Sequence, residues 1–184
     1  MSLIRRAYSV ATRAVVKRHG LDALNAALLV LPRWMIRSEL NAYGATIGDR
    51  TTICGGLQLA NIESARNLEH LVIGRHCYVG PGVMFDLTGR VILEDEVSLA
   101  PRVTILTHSD VGLRPLAAVY PSWKRDTVLR YGCWVGACAT VLGGVTVGSE
   151  SVVAAGSLVR DDVPARNVVA GVPARHVRTL PEFD

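Results

Sequence analysis

The chain has 184 residues, a length that suits one domain with a sizeable core, and it carries a formal net charge of +4 with a pI near 9.1. Aliphatic residues and glycine are plentiful while aromatics make up 5%, a balance that fits a narrow stacked interior. The cations are scattered, with no aromatic-interleaved basic patch or recognised module. This argues against nucleic acid and leaves a solvated surface or an anionic small ligand as the readings of the charge.

Residues 1–40 read as a helical arm. Leu3, Ala7, Val10 and Ala14 keep a helical spacing, with Arg5, Arg6, Arg13, Lys17 and Arg18 around them. Gly20 is a stop signal, Asp22 a candidate cap for a second helix over Leu21–Leu31, and Pro32 disturbs that helix. The apolar run Ala23–Leu31 is too short to span a bilayer. The favoured expectation is an arm packed on the body or on a neighbouring subunit, with a membrane-surface contact as the alternative.

A six-residue period starts near Ile47-Gly48, with Ile53 and Leu59 in phase. It breaks over Asn61–Leu71, resumes at Ile73, Val79 and Phe85, slips near Thr88–Arg90, and continues through Leu93, Leu99 and Ile105. Such slips are expected to be loops bulging from corners. Residues 106–128 carry no period and are expected to form a long irregular loop, which on a rigid scaffold is usually functional.

The clearest stretch is Leu129–Pro164. Every sixth residue is aliphatic: Leu129, Val135, Val141, Val147, Val153 and Val159. Four places further along each block stand Cys133, Ala139, Val145, Ser151, Ser157 and Val163, all small or β-branched. An unbroken hexapeptide register predicts a β-solenoid, with first and fifth places inward and Gly136 and Gly148 at corners too tight for a Cβ. Cys54, Cys77, Cys133 and Cys138 lack zinc-like spacing and are expected to be reduced structural core thiols in a cytoplasmic protein.

This repeat, together with the tail VVAGVPARHVR (Val168–Arg178), resembles the hexapeptide-repeat acyltransferases, most of all their sugar O-acetyltransferase branch. The resemblance implies a left-handed parallel β-helix over 41–178, a short tail at 179–184, and a homotrimer with active sites between subunits. It also implies acetyl-CoA as acyl donor, no metal, and a sugar or glycan-precursor hydroxyl as acceptor.

His108 lies in ILTHSD, which looks like the sequence that carries the general-base histidine in that family. An imidazole suits removal of a hydroxyl proton near neutral pH. The group orienting its other nitrogen is open between Asp110 and a backbone carbonyl. Asp86 and Trp134 are the candidate acceptor contacts, although Asp86 could equally satisfy its own loop backbone, and the asparagine that relatives often place nearby is missing from Tyr78–Gly89. Ala137 and Ala155 match positions whose backbone meets the pantetheine arm. Arg160, Arg175 and Arg178 match the cluster that receives nucleotide phosphates, where guanidinium forks suit phosphate oxygens.

Other readings are an amino-sugar N-acyltransferase, a longer-chain acyltransferase, and a non-catalytic scaffold. A zinc-dependent carbonic anhydrase on the same solenoid is disfavoured, because the five histidines lack the close pair and upstream third ligand it would need.

Overall fold

The computed structural model describes residues 3–62 and 67–182. Residues 1–2 of the arm, 63–66 of the expected break and 183–184 of the expected tail lie outside the described residues. Three helices, α1 (Leu3–His19), α2 (Ala23–Val30) and α3 (Arg33–Ala42), precede a three-sided parallel β-solenoid.

Each coil places one strand of two or three residues on each face. The first face stacks Ile47, Ile73, Leu93, Leu129 and Val147 in register. The second stacks Ile53, Val79, Leu99, Val135 and Val153, and the third stacks Leu59, Phe85, Ile105, Val141 and Val159. These columns are the buried core, and each such side chain contributes about 1.5–3 kcal/mol by leaving water. The fifth-place residues, from Cys133 to Val163, are buried beside them as expected.

Corners explain the glycines. A Cβ added to Gly136 would lie 2.6 Å from the Ala155 nitrogen, because that backbone crosses directly over it. In five of the six blocks from Leu129 the fourth place takes a left-handed backbone, and not only at glycine: Cys138 has φ 59 and Glu150 φ 56. The sequence pattern had assigned all four cysteines to the core, yet Cys138 is exposed at its corner and Cys54 is half-buried. Only Cys77 and Cys133 are interior. Burial pushes the Cys133 thiol up to about 12.

The three sequence interruptions fall at one corner, between the third face and the first: after Ala60, after Asp86 and after Ile105. The last is longer in effect than it looks. Going from third face to first takes six residues between Val141 and Val147, but twenty-four between Ile105 and Leu129. The expected irregular loop is partly regular, since His108–Ser109 pairs antiparallel with Trp123–Lys124 and a 3-10 turn spans Pro115–Ala118.

The helices cover the first coil. Leu24, Leu28, Met35, Ile36 and Leu40 are fully buried. Two asparagines replace the strand neighbours that a first coil lacks. The Asn25 amide donates to the Leu59 carbonyl at 2.8 Å and accepts from the Leu59 N–H at 2.9 Å; Asn41 accepts from the Ile47 N–H at 2.9 Å and donates to its carbonyl at 3.4 Å. A carboxamide carries the same donor and acceptor as a peptide, so each satisfies an open edge.

Two details of the arm differ from the sequence expectation. Asp22 makes no side-chain cap bond, and Pro32 opens a third helix, since its fixed φ suits a helix start. The stripe Leu3, Ala7, Val10 and Ala14 also faces solvent, while Thr12 and Val16 are the buried residues among the described side chains of α1. At the other end, Asn167–Gly171 continues the second face and Ala174–Thr179 folds back on it antiparallel.

Candidate active site

The interrupted corner gathers one polar cluster from three successive coils. Asp86 ends the third-face strand of the second coil, and its carboxylate is 1% exposed. Its Oδ1 accepts from Asn61 Nδ2 at 2.8 Å, Thr88 Oγ1 at 2.8 Å and the Thr88 N–H at 3.1 Å. Its Oδ2 accepts from the Thr107 N–H and lies within 2.8 Å of Thr107 Oγ1 and 2.5 Å of His108 Nδ1. Burial by itself would raise this carboxyl. Hydrogen bonds from His108, Asn61, Thr107 and Thr88 outweigh that effect and hold it well below the usual carboxylate range.

An ionised carboxylate only accepts hydrogen bonds, so His108 Nδ1 must carry the proton in this pair. In the neutral ring Nε2 then presents a lone pair. Nε2 makes no hydrogen bond among the described residues, and the side chain is 27% exposed, beside a cavity of about 250 Å³. That cavity is lined by Thr88, Ser109, Asp110, Ser122, Trp123 and Lys124 as well as His108.

The ribbon that carries His108 is fastened to the solenoid. The Arg125 N–H donates to the Thr107 carbonyl at 2.8 Å, and its guanidinium stands 5.4 Å from the Trp123 ring centroid. Trp123 lies against Gly143, where an added Cβ would approach the ring to 2.8 Å. Asp110 is spent inside the loop, accepting from Ser122 Oγ at 2.5 Å and the Gly112 N–H at 2.6 Å. The orienting partner of His108 is therefore neither Asp110 nor a backbone carbonyl.

Of the expected acceptor contacts, Asp86 has both oxygens occupied by protein donors and no face toward the cavity. The other, Trp134, is 52% exposed on the second face, pairs with Ser98 and Val152, and does not line the His108 cavity. Trp134 and His108 are thus on different sides of the solenoid.

The expected donor residues fall in two places. Ala137 and Ala155 sit at the same corner of adjacent coils, joined by the Gly156 N–H donating to the Ala137 carbonyl at 2.8 Å. Arg160 and Arg175 line a cavity of about 360 Å³ at the C-terminal end with His176 and Pro164. Both guanidiniums reach Asp161, at 3.3 and 3.5 Å. Arg178 stands on the closing hairpin outside that cavity.

Sequence reasoning missed Asn61, Thr88, Thr107, Ser122, Trp123 and Lys124. The signal was present in the register breaks, because these residues lie in or beside them. Among the described residues, no group of three or more His, Cys, Asp or Glu could hold a metal ion.

The chain superposes on a hexapeptide-repeat-containing acetyltransferase of Vibrio cholerae O1 biovar eltor, complexed with acetyl coenzyme A, with a TM-score of 0.75 over 94% of this chain and 89% of that one, at 23% identity. That likeness establishes the fold, a left-handed parallel β-helix with a helical arm.

In sequence, the chain is 34% identical over 106 residues to serine acetyltransferase 2 of Arabidopsis thaliana, covering 58% of this chain and 32% of the relative. It is 30% identical over 112 residues to galactoside O-acetyltransferase of Escherichia coli, covering 61% and 55%. It thus spans about a third to about half of the length of these curated relatives. No protein-family model matches the chain. Its homologues are hexapeptide-repeat acetyltransferases.

Proposed function

We propose that the protein transfers an acetyl group from acetyl-CoA to a hydroxyl of a sugar or glycan precursor, with His108 as general base. The observation that carries this reading is the buried Asp86 carboxylate holding the Nδ1–H of His108 and leaving Nε2 unpaired beside a cavity. Nε2 takes the acceptor hydroxyl proton as the oxygen attacks the acetyl carbonyl. The carbon–sulfur bond then breaks, and the imidazolium returns its proton to the departing thiolate. Asp86 favours the imidazolium in between and fixes the tautomer, which makes it a positioning residue. A backbone N–H is the expected donor to the developing oxyanion.

The corner ledge at Ala137 and Ala155 suits a thin pantetheine arm, and Arg160, Arg175 and Arg178 supply cations for its nucleotide phosphates. The exposed position of Trp134, on another face from His108, supports a site completed by a second copy, as in a trimer. The hydroxyl acceptor is supported by the serine and galactoside acetyltransferases among the relatives, both named for acceptors that bear a hydroxyl.

The test is a mass-spectrometric screen for acetylated product. Wild type and His108→Ala are each incubated with acetyl-CoA and a panel of sugars, nucleotide sugars, amino sugars and serine. Product from wild type alone, with acetyl-CoA binding kept by the variant, is the expected result. A variant of wild-type rate removes the proposed base. Product on amines alone removes the hydroxyl acceptor, and serine as the sole acceptor removes the sugar.

A further inference from the structure

We propose that the outward face of α1 docks in the plane of an anionic lipid surface, an inference that rests on the helix alone and not on the catalytic reading. The first observation is the orientation of α1. Its buried side holds Thr12 and Val16, so the opposite side faces solvent. That side is apolar: Leu3 is 88% exposed, Val10 67% and Ile4 62%, with Tyr8 and Val15 beside them. At 100° per residue, Leu3, Ala7, Val10 and Ala14 form one stripe, with Ile4, Tyr8 and Val15 widening it on one flank.

The second observation is charge. Arg6, Arg13 and Lys17 recur at intervals of seven and four along the other flank of the same stripe, all exposed. No acidic residue occurs before Asp22, so nothing on α1 neutralises them. An apolar stripe edged by cations matches a bilayer interface, where acyl chains receive the stripe and lipid phosphates meet the cations.

Length and composition fix the mode of contact. α1 has seventeen residues, five of them Lys or Arg, and no helix among the described residues is long and apolar enough to cross a membrane. The helix can therefore lie on a bilayer and not span it. A second α1 packed against the first would bring like charges together, which disfavours that occupant.

The experiment is co-sedimentation of the full chain with vesicles of phosphatidylcholine alone or containing about a third phosphatidylglycerol, at low and high salt. The expected result is binding to the anionic vesicles that exceeds binding to neutral ones by about tenfold and weakens with salt. Ile4→Glu with Val10→Glu, and separately Arg6→Glu with Lys17→Glu, should each lower it by at least about tenfold while the thermal melt stays in place. The four side chains are exposed, and the charge variant carries the test if the apolar one fails to fold. Failure of wild type to sediment with anionic vesicles, or equal sedimentation of both variants, overturns the proposal. So does dissociation of an oligomer by the apolar substitutions, which would assign the face to another copy.

Discussion

Asp86 Oδ2 and His108 Nδ1 stand 2.5 Å apart although twenty-two residues separate them in the chain. The pairing exists because Asp86 ends one coil's third face and His108 follows the next coil's, so stacking brings them to one corner. Asp86→Asn exchanges an acceptor-only group for one that can also donate, and it removes the tautomer preference. The expected outcome is a fall in kcat of roughly 10²–10⁴-fold with KM for acetyl-CoA nearly unchanged. Steady-state kinetics on the acceptor found in the screen check it, and a variant with unchanged kcat would leave Asp86 a purely structural residue.

The same carboxylate links folding to acid. Its folded pKa is depressed, so its contribution is present above the unfolded value of about 3.9 and disappears as pH falls from there toward the folded value. Thermal melts from about pH 6 to about pH 2 should therefore show a steeper acid limb for wild type than for Asp86→Asn. Parallel curves would place the acid sensitivity elsewhere.

Gly136→Ala puts a methyl 2.6 Å from the Ala155 nitrogen, where the neighbour is backbone and cannot turn aside. A loss of roughly 1–3 kcal/mol is expected, about 2–4 °C in Tm per kcal/mol. Gly55→Ala, which meets nothing within 4 Å, should stay close to wild type in the same scan.

Asn25→Ala strands the Leu59 N–H and carbonyl at the edge of the first coil. The expected cost is about 1–3 kcal/mol, and denaturant titration checks it. Asn25→Asp keeps the acceptor and loses the donor, so it should fall between wild type and Asn25→Ala.

If sites form between copies, His108→Ala and Trp134→Ala damage different contributions to each. Co-expressed, the two inactive variants should regain part of the wild-type turnover in mixed assemblies. No recovery, with mixed assemblies confirmed by mass, would place Trp134 outside the site.

The solenoid was legible because its period is set by packing: an aliphatic residue every six places reports an inward direction whatever the details of the corner. His108 was legible for a related reason, since it stands where the period stops. Its partner was not, because inspection of neighbours in sequence favours Asp110, two residues on, whereas a solenoid's neighbours in space lie one coil away. Asn61, which donates to Asp86 at 2.8 Å, was missed for the same reason, since it lies one coil earlier than Asp86 and outside Tyr78–Gly89. Side-chain direction on α1 was also hidden, because a short amphipathic helix shows a stripe but not what the stripe meets. Cys138 was misread because a cysteine within the repeat region was taken for a core thiol, whereas it stands in a fourth place, where a left-handed backbone turns the chain at an exposed corner.

The asparagines at one end and the folded-back hairpin at the other fix the length of the stack. An open parallel sheet would recruit further strands at either edge, so the coil could polymerise end to end; here the asparagines occupy the first- and third-face edges of the first coil and the hairpin closes the second face of the last. Lengthening by duplication must then happen internally, at a corner where chain can be added without unstacking a face. The surplus between Ile105 and Leu129 equals one full coil and leaves the register intact. That corner is the fold's point of growth, and novelty introduced there arrives next to His108.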